Sequence, residues 1–173
     1  MIILLEGPDG AGKSVLYKQL QNEFSSNFIR SINRNDKGQY LWYKQHIESP
    51  YVYFIDRGFI SELVYRPIKD DREPNITLEE AGNLCSRHLF VIYCTNKHAY
   101  DNMKLRGDDY IEDENEHKQI CTRYEEVITT IDNFTNARVF YYDYSFPIIY
   151  NILLDAIRRF IEQTKKEVVH GVR

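Results

Sequence analysis

Cysteine is scarce in this chain, long apolar runs are missing, and positive charge is not in excess. The three cysteines, Cys85, Cys94 and Cys121, stand far apart with no CxxC pair, which excludes a secreted-style disulfide framework. They read as reduced, packed thiols of a cytoplasmic protein. The apolar opening, Met1 to Leu5, stops at Glu6, too short for a membrane span or the core of a signal peptide. The sequons at Asn75-Ile-Thr77 and Asn133-Phe-Thr135 are accordingly read as chance matches. Lys plus Arg number 22 against 26 Asp plus Glu, a net charge of −4, which argues against a protein that coats nucleic-acid phosphates. There is no repeat, low-complexity tract or linker, and 173 residues fit a single domain, 1–173, with a sizeable core.

What the chain does have is a globular composition, 43% hydrophobic and 14% aromatic with 14 tyrosines, and a regular alternation of short apolar runs with helical periodicities. That alternation is the pattern of crossovers onto a parallel sheet. Candidate strands are Ile2 to Glu6, Asn27 to Ile32, Tyr51 to Asp56, His88 to Cys94 and Arg138 to Asp143, each short and rich in β-branched or aromatic residues. Five such strands predict an α/β fold: a doubly wound parallel sheet with helices on both faces. Helices are expected from near Gly12, over Asp36 to Ile47, and just after Arg57. A last one, over Pro147 to Lys166, carries Ile149, Ile152, Leu153, Ala156, Ile157, Phe160 and Ile161 on one stripe. The charged segments Lys69 to Asn75 and Gly107 to Glu116 lack apolar periodicity and read as loops or helix edges.

Chemistry enters at Gly7-Pro-Asp-Gly-Ala-Gly-Lys-Ser14, which fits GxxxxGK[ST] and sits between a predicted strand and a predicted helix, the context that makes this motif specific. Gly7, Gly10 and Gly12 let the backbone curl so that its N–H groups, with those of Asp9 and Ala11 between them, can face phosphate oxygens. Lys13 would reach the β- and γ-phosphates, and the Ser14 hydroxyl would join the first shell of a Mg²⁺ ion bridging them. The reading is an ATP cradle in a fold of the P-loop kinase type.

A narrower pattern, Glu6-Gly-x-Asp9-Gly-x-Gly12-Lys-Ser14, resembles the first motif of thymidylate kinases. A second segment, Phe54-Ile-Asp56-Arg57 followed by Ser61 and Tyr65, is similar to that family's Asp-Arg motif. The resemblance implies transfer of the γ-phosphoryl of Mg-ATP to a deoxynucleoside monophosphate, dTMP first among acceptors. It implies that Arg57 grips the acceptor phosphate and Asp56 orients Arg57 and a Mg²⁺-bound water. Asp9 would meet the 3′-hydroxyl and Tyr65 the sugar's 2′ edge, with Ser61 and Glu62 on the same helix face; a carboxylate at 62, where the family commonly has an amide or hydroxyl, suits an exocyclic amine or N–H donor. A lid is implied at about 104–116, with Arg106 as its arginine. Small nucleotides are the implied partners, with a homodimer possible and no stable nucleic-acid or membrane complex. Where the family shows Arg-Glu-Pro-Gly after the second strand, this chain reads Ser31-Ile-Asn33-Arg34-Asn-Asp36, so only Arg34 is a candidate there. Tyr40, Trp42 and Tyr43 are candidates for base stacking by chemistry alone.

Other functions share parts of this pattern. A deoxynucleoside kinase needs a carboxylate base after the second strand, where only Asp36 is near, and its first loop usually lacks an aspartate at position 9. A non-catalytic ATP-binding switch would lack the acceptor set Asp9, Arg57, Ser61 and Tyr65. A kinase of modified bases in DNA is disfavoured by the acidic balance.

Overall fold

The computed structural model describes residues 1–30, 38–108 and 110–170. Five strands form one parallel sheet: β1 (Ile2–Glu6), β2 (Asn27–Ile29), β3 (Tyr53–Asp56), β4 (Leu89–Cys94) and β5 (Arg138–Tyr142), in the order β2-β3-β1-β4-β5. The connecting helices are α1 (Lys13–Glu23), α2 (Gln39–His46), α3 (Phe59–Tyr65), α4 (Leu78–Leu84), α5 (Ala99–Leu105), α6 (Glu114–Phe134) and α7 (Ile148–His170).

The central strand explains the layering. All five residues of β1 are buried, as expected of a strand covered on both faces. Successive side chains point to opposite faces. Ile2 and Leu4 join the core with Tyr43 of α2, Phe59 and Leu63 of α3 and Tyr124 of α6. Ile3 and Leu5 join the other core, with Leu16 of α1 and Leu153, Ile157 and Phe160 of α7. Each such aliphatic side chain contributes about 2 kcal/mol by leaving water.

The five-stranded doubly wound sheet matches expectation; several boundaries do not. β2 ends at Ile29 rather than Ile32, and α2 begins at Gln39; the intervening candidates, Arg34 and Asp36, lie outside the described residues, as does Asp109 in the expected lid. The helix after Arg57 runs only to Tyr65, where Pro67 deprives the ladder of a donor and the chain passes into a π-turn over Arg66–Asp70. On α7 the stripe is buried at Leu153, Ile157 and Phe160, whereas Ile152 is half exposed. The expected lid segment is α5's end, a short connector and α6's first turn, for α6 starts at Glu114 with Asp113 accepting from the Glu116 N–H. Ile111, fully buried, pins the connector to the core.

The stacking candidates on α2 are packing residues. Tyr43 is fully buried against Phe59, and Trp42 stacks on His46 and meets Tyr53 edge-on. Tyr40 lies partly buried against the same core.

Candidate active site

The site lies at the C-terminal edge of the sheet, beyond β1 and its neighbours β3 and β4, where open α/β sheets bind ligands. Gly7 to Gly12 turn sharply out of β1: Gly7, Gly10 and Gly12 have φ of 137°, 83° and 84°. A Cβ on Gly10 would stand 1.7 Å from the Ala99 carbonyl oxygen, so this position requires glycine on both dihedral and spatial grounds. Lys13 folds into the loop and donates to the Gly7 and Pro8 carbonyls, both at 2.6 Å. Its burial, followed by the nearby Arg57 charge, lowers its pKa to about 8. Ser14 is exposed at the start of α1.

Arg57 reaches the same place from the next strand. The register pairs Leu5 with Asp56, and the Arg57 N–H donates to the Leu5 carbonyl (3.0 Å), so the residue after β3 sits beside the glycine turn. Its φ of 67° is a left-handed conformation in which the Cβ crowds the backbone carbonyl at a cost of about 1–2 kcal/mol, and such strain concentrates at functional sites. The guanidinium pairs with the Asp9 carboxylate and lies 5.2 Å from the Tyr65 ring centroid. Tyr65 in turn donates to the other Asp9 oxygen at 2.9 Å. Nη1 of Arg57 is buried with no hydrogen-bond partner among the described residues.

The structure thus brings together Asp9, Lys13, Arg57 and Tyr65, and it redistributes the rest. Arg57 is held by Asp9, where Asp56 was expected to orient it. Oδ1 of Asp56 is buried without a partner among the described residues, and burial raises its pKa against the pull of Lys13 and Arg57. Ser61 does not present its hydroxyl to a cleft: it is buried, donates to Glu6 (2.5 Å) and exchanges a hydrogen bond with Tyr124 (2.8 Å). Glu62 is buried as well, and accepts from Arg66 (2.6 Å) and from the Asn75 N–H (3.0 Å). The shared helix face therefore holds for Ser61 and Tyr65, while Glu62 serves the turn that follows.

Glu6 was visible in the motif but carried no role. Its buried carboxylate accepts from the Gly58 and Ser61 N–H groups (2.8 and 3.2 Å), the Ser61 hydroxyl and the Tyr124 hydroxyl (3.3 Å). It satisfies otherwise orphaned donors at the start of α3 and so fixes the turn that presents Arg57. Burial raises its pKa despite these donors.

On the other side of the glycine turn opens a cavity of about 710 Å³, lined by Gly10, Gly12, Asn102, Arg106, Tyr144 and Phe146 among others. Asn102 donates to the Tyr144 hydroxyl at 2.6 Å, and the Tyr144 ring stands where a Cβ on Gly12 would lie, 2.7 Å away. Arg106 is exposed at the end of α5 on this cavity's rim. The aromatic run Tyr141-Tyr142-Asp-Tyr144-Ser-Phe146, leaving the fifth strand at the sheet's C-terminal edge, was the signal that would have found this wall.

Fold and site together define a protein with the P-loop kinase fold. No family model and no curated sequence matches the chain. Solved structures do match in fold. The YorR protein of Bacillus subtilis, solved with phosphorylated GDP, superposes with a TM-score of 0.72 at 20% identity, over 91% of this chain and 96% of that one. Deoxyadenosine kinase of M. mycoides, solved with dCMP and dCDP, gives 0.61 at 16% identity over 92% and 99%. Thymidylate kinase of Candida albicans gives 0.61 at 16% identity over 95% and 92%. Among the described residues no helix is long and apolar enough to cross a membrane.

Proposed function

We propose that this chain is a deoxynucleoside monophosphate kinase that transfers the γ-phosphoryl of Mg²⁺-ATP to a 5′-monophosphate, with dTMP the first acceptor. The observation that carries the reading is the guanidinium of Arg57 beside the glycine turn. It is partly buried and held on one side by Asp9 and Tyr65, and its Nη1 atom is fully buried with no partner among the described residues. A buried donor without an acceptor costs about 1–3 kcal/mol, more when charged, and a phosphate oxygen is the acceptor that a planar fork fits best. The donor's triphosphate belongs in the amide-lined turn, with Lys13 exchanging the Gly7 and Pro8 carbonyls for phosphate oxygens. The base belongs in the 710 Å³ cavity beside Tyr144.

Ser14, exposed at the turn's end, and Asp56, with an unpartnered oxygen nearby, suit a hydrated Mg²⁺ ion, which when bound would neutralise charge on the β- and γ-oxygens. A monophosphate is already ionised at neutral pH, so its attack on the γ-phosphorus needs positioning and charge stabilisation rather than a general base. Asp9 would exchange part of its hold on Arg57 and Tyr65 for the sugar's 3′-hydroxyl, and Arg106 would close over the phosphates from the cavity rim. No phosphoenzyme is formed.

The fold neighbours named as thymidylate and deoxyadenosine kinases support a nucleotide kinase; the second of them also supports a deoxynucleoside kinase as the other reading. The two separate in one assay. The protein is incubated with Mg²⁺-ATP and a panel of deoxynucleosides, their 5′-monophosphates, the ribo forms and an oligonucleotide. Diphosphate appearing from a deoxynucleoside monophosphate, dTMP foremost, supports the proposal; phosphorylation of nucleosides alone sinks it.

A further inference from the structure

His117, on the first turn but one of α6, is buried and far in sequence from the glycine turn, yet it contacts that turn's main chain. Its Nε2 lies 3.2 Å from the Asp9 carbonyl oxygen. A carbonyl only accepts, so Nε2 carries the proton and donates. In the neutral tautomer Nδ1 then accepts, and Cys121, one turn further on, provides its thiol at 3.5 Å. The Tyr100 ring of α5 lies against the imidazole, centroids 5.5 Å apart. The adjacent Glu116 is tied to Lys69 of the π-turn at 2.8 Å. The start of α6 is thus fastened between the glycine turn and the segment that follows α3.

The peptide joining Asp9 to Gly10 is trans, so its carbonyl and the Gly10 N–H point in opposite directions. Holding the carbonyl against α6 turns the Gly10 N–H away from α6. The same residue's side chain is held from α3 by Arg57 and Tyr65, so Asp9 is fixed at both ends. We propose that His117 is a positioning residue: its hydrogen bond to the Asp9 carbonyl sets the orientation of the Gly10 N–H in the phosphate cradle, and with it the affinity for the triphosphate and the alignment for transfer. This rests on Gly7 to Ser14 being a triphosphate cradle and is independent of the acceptor's identity.

The test compares three variants whose side chains differ in reach. His117→Gln places an amide N–H near the position of Nε2. His117→Asn keeps a buried donor that is too short, and His117→Leu removes the donor. Affinity for a fluorescent ATP analogue is measured by titration, kcat and KM with the best acceptor by coupled assay, and folding by thermal unfolding. His117→Gln is expected to stay within about threefold of wild type in affinity and kcat. Asn and Leu are expected to lose about tenfold in both, a 1.4 kcal/mol effect each, with the acceptor KM unchanged. Affinity of Asn and Leu within twofold of wild type overturns the proposal, as does a Gln variant as impaired as Asn. Should Leu fail to fold, the Gln and Asn pair decides. If wild type binds the analogue but phosphorylates nothing, the kinase reading fails while the affinities still judge His117.

Discussion

Lys13 and Glu6 are both ionisable groups taken out of water beside the glycine turn, and they titrate in opposite senses. Lys13 falls from 10.5 to about 8, first because of burial. Between those values the unfolded chain keeps a proton that the folded chain has lost, so stability rises with pH across the window. Lys13→Met removes this group. The stability of wild type relative to that variant should therefore climb by up to about 3 kcal/mol between roughly pH 8 and 10.5, read by urea unfolding at each pH; a flat difference would mean that the amine is hydrated. Glu6 is raised by burial, so its charged form is a cost at neutral pH offset by its four donors. Glu6→Ala leaves the Gly58 and Ser61 amides without their acceptor and should lose about 3 kcal/mol, whereas Glu6→Gln, which keeps an acceptor oxygen, should lose less than about 1 kcal/mol. Equal losses would show that the charge, not the acceptor, holds the turn.

At the scale of elements, what was legible depended on how local the causes are. The glycine turn could be read because its three glycines answer to backbone dihedrals within eight residues, and β1 because five buried residues run together. The facing of Ser61 could not, since Glu6, 55 positions earlier, determines where its hydroxyl points. Nor could the Asp9–Arg57 pair, which strand register brings together across 48 residues, or the start of α6, whose acidic first turn and Asp113 cap resemble a solvated charge run. Arg106 remains placed by a local argument alone. It ends α5, next to a connector anchored by Ile111, and a lid arginine acts only when the site closes. Arg106→Ala should lower kcat by about tenfold or more with ATP affinity within about threefold; a loss confined to affinity would make it a donor-binding residue instead.

For the molecule as a whole, the proposal requires two nucleotide sites open at once: the glycine turn with the cavity walled by Tyr144 and Asn102 for the donor, and the Arg57 cluster for the acceptor. Ligands that bind only the folded state stabilise it by RT ln(1 + [L]/Kd), about 2.7 kcal/mol at a hundredfold excess over Kd, and a domain of this size responds by about 2–4 °C for each kcal/mol. ATP alone should therefore raise the melting temperature by several degrees, and dTMP alone by a separate, smaller amount. A single molecule joining adenosine and thymidine through five phosphates spans both sites without a second loss of translational freedom. At equal concentration it should raise the melting temperature by more than ATP does, and its advantage should vanish in Arg57→Ala, whose ATP response persists. A linked ligand no better than ATP would mean that nothing beyond the donor is held, and that the guanidinium after β3 serves the fold rather than a second nucleotide.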